Sequence, residues 1–76
     1  MTKAFVLINT APGKEKGTLD QLLKCGSIVS FVHIVYGLYD LIAVVEASSL
    51  EEVKKCIAHQ IRDMAQVVTT LTLLTA

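Results

Sequence analysis

Several things this sequence does without narrow its function first. It has no surplus of charge: seven Lys and Arg balance seven Asp and Glu, so the formal net charge is zero. Affinity for DNA rests largely on phosphate contacts from a basic footprint, and none is visible here. It has no membrane-length apolar segment. The apolar runs at 5–8 and 41–45 are four and five residues long, against the roughly 20 that cross a bilayer. A charged leader followed by a long apolar core is also missing, so the chain is read as cytoplasmic. The two cysteines, Cys25 and Cys56, stand 31 residues apart, which fits neither a zinc pair nor a CxxC redox site. They read as small apolar residues in a reducing compartment, with a disulfide as the minor alternative. TAPGKEKG holds a Gly-Lys pair but lacks the GxxxxGK[ST] spacing of a phosphate loop. The aromatic signature of an RNA-reading sheet is missing too.

What is present is apolar and short. Residues 1–76 make one domain. A chain of this size buries only about 60% of the surface it exposes when unfolded. Yet 53% of its residues are hydrophobic, which points to apolar surface shared with another subunit.

Along the chain, residues 3–9 are apolar and rich in β-branched and aromatic side chains, a strand. Thr10, Ala11, Pro12 and Gly13 end it. Residues 14–24 place Leu19, Leu22 and Leu23 at helical spacing, with Gly26 as the stop. Gly17 weakens that helix by about 1 kcal/mol relative to Ala. Residues 28–36 and 40–46 form two strands around a turn at Gly37. Ser49 followed by Glu52 predicts a capping box, and Leu50, Val53, Ile57, Ile61 and Met64 a buried helical stripe. Residues 66–74 form a Thr-rich last strand. The order βαββαβ is a ferredoxin-like α+β fold, a four-stranded antiparallel sheet in order 4-1-3-2 with both helices on one face. Apolar strands one and three take the centre, and the polar strands carrying Ser30, His33, Thr69, Thr70 and Thr72 take the edges.

Two helices cover one sheet face. Phe5 and Leu7 point opposite to Val6 and Ile8, and Ile42 and Val44 opposite to Leu41, Ala43 and Val45. Both faces are therefore apolar, and the economical cover for the second is another copy. The expectation is a homodimer with sheets packed face to face.

Catalysis has thin support. Ser30 and His33, three apart on one strand, should point to opposite faces, so they offer no nucleophile and base. His59 and Asp63 read as a solvated pair, and His33 as an edge or interface residue. Two His and two distant Cys assemble no metal site, and no cofactor is implied. What remains is YGLYD, at 36–40. Gly37 permits positive φ, and the amides around it suit a carboxylate. Asp40 can pair with an ammonium group, and Tyr36 and Tyr39 offer rings and hydroxyls. Together these suit an amino-acid zwitterion. The alternative stays open that Gly37 only turns the chain and Asp40 only hydrogen-bonds local backbone.

VHIVYGLYDLIAVVEASSLEEV, with AFVLINTAPGKE before it and TLTLL after, resembles the RAM domain (regulation of amino acid metabolism), the ligand-binding domain of the leucine-responsive/asparagine-responsive (Lrp/AsnC) regulators. The resemblance covers essentially the whole chain. It implies a ferredoxin-like protomer, sandwich dimers, rings of four dimers, and amino-acid effectors held between dimers beside the Gly-x-Tyr-Asp turn. In those terms Gly37 and Leu38 supply the turn, Tyr39 is a pocket wall, and Asp40 meets the ligand's amino group. Thr70 and Thr72 match polar positions of the last strand.

Two departures stand out. The family's helix-turn-helix has no counterpart before the first strand, so direct DNA binding is not carried over. The expected roles are metabolite sensing or co-assembly with full-length Lrp/AsnC regulators. The usual Pro-Gly-Val corner reads Cys25-Gly26-Ser27-Ile28, about one residue longer, which leaves open the register of strand two and the face that His33 occupies. The alternatives to an effector-binding module are a small dimeric α+β barrel enzyme of the monooxygenase type, with His33 in its cavity, and an assembly module without ligand.

Overall fold

The computed structural model describes residues 1–24 and 28–75. Strand β1 (Thr2–Thr10) leads into helix α1 (Glu15–Leu23), then strands β2 (Val29–Ile34) and β3 (Leu41–Ala47). Helix α2 (Leu50–Cys56) comes next and continues as a π-helical turn (Ile57–Ile61) before strand β4 (Val67–Leu74). The strands pair antiparallel in the order β2-β3-β1-β4, which is the expected 4-1-3-2 read from the other edge. The fold is ferredoxin-like α+β.

Strand alternation decides which residues make the core. Ala4, Val6, Ile8, Leu41, Ala43 and Val45 lie on one face and are wholly buried. Leu22 of α1, Val53 and Cys56 of α2, and Ile57 and Ile61 of the π turn close over them in one cluster. Both helices therefore cover the same face. On the other face Phe5, Leu7 and Ile42 are half-buried, while Phe31, Leu71 and Leu73 are 44%, 43% and 49% exposed. Val44 is buried even on this open face, because the register sets it between Phe5 and Phe31.

Local chemistry fixes the helix starts. Ser49 Oγ accepts from the Glu52 amide at 3.3 Å. The Glu52 carboxylate takes its own hydrogen bond from the Ser48 hydroxyl at 3.2 Å, so half of the predicted capping box is met and the return arm lands one residue early. At α1 the Glu15 carboxylate reaches back to the Gly13 amide at 3.1 Å, with Gly13 at φ 81°. Thr18 is buried under the helix, its hydroxyl satisfied by the Lys14 carbonyl at 2.7 Å.

Three expectations are corrected. A register shift between Val29 and Phe31 breaks strict alternation in β2, so Ser30 donates to Glu46 Oε1 at 2.8 Å. Glu46 and His33 both face the open side, opposite Lys3 and Ile42, and Ser30 joins that side instead of opposing His33. Bulges insert one residue and re-aim the neighbouring side chains. Leu50 is 40% exposed instead of buried, because it opens α2 at the domain rim. The strand expected at 28–36 is shorter, Val29–Ile34. The corner at 25–27, the helix stop at Gly26 and a Cys25–Cys56 disulfide lie outside the described residues. Cys56 itself is buried, with Sγ 3.5 Å from Gln60 Oε1. Among the described residues no helix is long and apolar enough to cross a membrane.

Candidate functional site

The turn at 36–40 joins β2 to β3 at the end of the sheet where β1 finishes. The Val35 amide donates to the Asp40 carbonyl at 2.9 Å and closes the loop. The Asp40 amide donates to the Ile8 carbonyl at 2.9 Å, extending the β1 ladder. Gly37 sits at φ 132°, a backbone state that side-chain-bearing residues rarely adopt. Nothing lies within 4 Å of where its Cβ would be, so conformation and not space calls for glycine.

The closed loop throws its side chains outward. Tyr36 is 97% and Leu38 89% exposed, while Tyr39 and Asp40 are half-buried. Asp40 plays a structural part, since its Oδ2 accepts from the Thr10 amide at 2.9 Å. That bond falls where the β1–β4 pairing shifts register between Asn9 and Thr10, a place where a backbone donor would otherwise lose its partner. The local-backbone role of Asp40 is therefore present. It engages one carboxylate oxygen, and the other can take a further donor.

Thr70 and Thr72 stand apart from this turn. They pair with Ile8 and Val6, so they face the helices. Two strand spacings, about 10 Å, separate Thr70 from the β3 strand that the turn feeds. Thr70 Oγ1 accepts from Arg62 Nε at 3.3 Å. Thr72 lines a cavity of about 410 Å³ with Val53, Lys54, Ile57, Ala58, Arg62 and Leu74. Thus one protomer gathers Tyr36, Gly37, Leu38, Tyr39 and Asp40 in one place, and Thr70 and Thr72 in another. Sequence reasoning missed Lys54 and Arg62 as neighbours of Thr72. No periodic signal could have found Arg62, because the π turn shifts its phase. Among the described residues no three His, Cys, Asp or Glu side chains group as metal ligands.

The open face has its own order. Phe5, Leu7, Ile42, Leu71 and Leu73 fill its middle, continued on β2 by Phe31, whose ring packs tilted on His33 with centroids 5.2 Å apart. Polar pairs close its ends: Asn9 Nδ2 donates to Thr69 Oγ1 at 3.1 Å, and Lys3 lies over Phe5 at 5.8 Å beside Glu46.

A ferredoxin-like protomer with one covered face, one apolar open face and a projecting Gly-Leu-Tyr-Asp turn has the build of a RAM domain. No protein-family profile and no curated protein matches the chain. Solved structures do. The crystal structure of FFRP-DM1 is 37% identical over 100% of both chains, with a TM-score of 0.95. E. coli AsnC is 17% identical, with a TM-score of 0.86, and the match covers 97% of this chain and 50% of AsnC. The transcriptional regulator NMB0573 from Neisseria meningitidis, solved as an L-Met complex, shares the fold at a TM-score of 0.84 and 8% identity, over 99% of this chain and 49% of that one. The chain belongs to the Lrp/AsnC family and forms its RAM domain.

Proposed function

We propose that this domain binds an amino-acid effector beside residues 36–40, at a junction between subunits, and that it acts by assembly and not by catalysis. The observation that carries the reading is the outward pair Tyr36 and Leu38, 97% and 89% exposed, flanking a glycine at φ 132°. Large side chains held so far out by a closed loop have no partner among the described residues, and a neighbouring subunit supplies one. Gly37 offers backbone amides to a carboxylate, Tyr39 a wall, and the second oxygen of Asp40 an acceptor for an ammonium group. Thr70 and Thr72, turned toward α2 in their own protomer, contribute to this site only from a neighbouring chain.

The open sheet face supports the dimer half of the proposal. An apolar centre with polar ends has the anatomy of an interface. A second copy laid face to face buries both faces at once. Rings of four such dimers, partnership with full-length Lrp/AsnC regulators in the cytoplasm, and action without direct contact to DNA complete the reading. The amino-acid class is supported by the complex of a fold relative with L-Met.

The test is thermal unfolding with each of the twenty amino acids, on wild type and Asp40→Asn. Asn retains an oxygen for the Thr10 amide and removes the charge, so it tests the ligand and spares the fold. A ligand at 100 times its Kd adds about 2.7 kcal/mol, a shift of several degrees in a small domain. One or a few amino acids should stabilise wild type and not the variant. If none does at millimolar concentration, with the oligomer intact by sedimentation, the effector role falls and an assembly module without ligand replaces it.

A further inference from the structure

We infer that the open sheet face is a pH-gated contact between two copies of this chain, with His33 as the gate. The face closes on a second copy while the imidazole is neutral and releases it when the imidazole is protonated. The inference rests on the face-to-face dimer proposed above and adds the condition under which that dimer forms.

Strand register sorts the open face into four rows that run from β2 across to β4. One outer row holds Glu46 and Lys3, with the Ser30 hydroxyl donating to Glu46 Oε1 at 2.8 Å. The next holds Phe31, Val44, Phe5 and Leu73, and the third holds His33, Ile42, Leu7 and Leu71. Asn9 and Thr69 stand in the fourth, at the turn end. The two middle rows are thus apolar at every position but one, and the exception is His33. Histidine is also the side chain that ordinarily changes charge between about pH 5 and 8. Its ring packs tilted on the Phe31 ring, with centroids 5.2 Å apart. A neutral imidazole can join such a row, whereas an imidazolium needs water or an acid.

No acid stands in either middle row. Along β3, Glu46 is four residues from Ile42, about 13 Å at the rise of a strand. Asp40 is two residues from Ile42 on the other side, beyond the strand, and its Oδ2 accepts from the Thr10 amide at 2.9 Å. Lys3 of β1 lies over Phe5 at the far end, and β4 carries no charged residue. The turn adds only the neutral phenols of Tyr36 and Tyr39. The helices cover the opposite face and present nothing to His33.

A second copy presents the same rows. Two copies bury their apolar middles together only when middle rows lie against middle rows, which leaves Lys3, Glu46 and Asp40 at the ends. With the two-fold axis along the strands, the second copy's Leu71 falls over His33. With the axis across the strands, its Phe31 does. In both settings the imidazole gives up water for hydrocarbon. Burial disfavours the charged form of a histidine, so the separated protomers take up a proton at His33 that the dimer refuses. The contact therefore holds in full where imidazole is neutral and weakens as pH falls.

The experiment is sedimentation equilibrium of the whole chain at pH 8 and pH 5.5, at constant ionic strength, with the far-ultraviolet circular dichroism spectrum recorded at both. Dissociation frees two imidazoles. Each ordinary imidazole favours the protomer about tenfold one unit below its usual pKa of about 6.5. The dimer Kd should therefore rise about a hundredfold at pH 5.5, with the spectrum unchanged. His33→Leu and His33→Gln should both abolish the rise. Leu adds apolar surface and Gln does not, so a shared loss isolates the titration. His59→Gln, at the other histidine, should keep the rise. A dimer whose Kd ignores pH, or a rise that survives both His33 variants, would overturn the gate and leave the face-to-face dimer standing. A dimer lost at pH 5.5 only together with its folded spectrum would overturn the gate as well. A chain that is monomeric at both pH values would overturn the gate and the dimer reading together.

Discussion

The two faces of the sheet are built from the same strands and nearly the same residue types, yet they meet different fates. On the helix side, Ala4, Val6, Ile8, Leu41, Ala43 and Val45 are fully buried. On the open side, Phe31, Leu71 and Leu73 keep close to half their surface in water. The helix side closes because α1 and α2 both pack on that one face. The open side is as apolar as a core and has no lid within the described chain. The first face makes the protomer fold, and the second is the face proposed to meet another copy.

Substitutions on each face should separate those roles. Ile8→Ala removes three buried carbons where Ile8 has no exposed surface, and should cost about 2–5 kcal/mol. For a small domain that approaches the whole of its stability. Denaturant unfolding should show a collapsed midpoint or no folded baseline. Leu71→Lys, on the open face, should cost the isolated protomer no more than about 0.5 kcal/mol. In the proposed face-to-face dimer it should nevertheless convert dimer to monomer in sedimentation equilibrium, because a lysine buried in an apolar interface leaves its charge unpaired. A dimer that survives Leu71→Lys would show that the open face is not the contact.

The turn invites a finer contrast, between the two jobs of one carboxylate. Asp40→Ala strips the Thr10 amide of the acceptor that now sits at 2.9 Å, and should cost about 1–2 kcal/mol without any ligand. Asp40→Asn should cost about 0.5 kcal/mol or less, since an amide oxygen can take the same bond. Urea midpoints of the two variants measure the difference. Equal losses would mean that the charge, and not the hydrogen bond, holds the β1 end.

How much of this was legible divides along the same line. Alternation in β1 and β3 was legible because each residue's face is set by a period of two, and their apolar runs named the central strands. The Ser49 cap was legible because its chemistry is local. The β2 bulge was not. The corner at 25–28 left the register of strand two open, but nothing in Val29, Ser30 and Phe31 places the extra residue at Ser30, and the shift carries Ser30 over to Glu46. The π turn was equally silent: Ile57 and Ile61 keep helical spacing, and only Arg62 is re-aimed. The turn at 36–40 could be located from Gly37 and Asp40. That Asp40 also secures the Thr10 amide depends on a contact 30 residues away, and sequence spacing does not reveal such contacts.

One further small effect is the one whose sign decides most. Thr72→Val exchanges a hydroxyl for a methyl on the same β-branched frame, so strand propensity and volume change little. Thr72 Oγ1 is buried without a partner among the described residues, and the methyl should sit more easily against Val53 and Ile57 than the hydroxyl does. The ligand-free protein should therefore gain about 1 kcal/mol, read as a higher urea midpoint at unchanged slope. Most substitutions at partly buried positions destabilise, so a gain marks a residue kept for something other than stability. A lower midpoint would mean that the Thr72 hydroxyl is satisfied in solution.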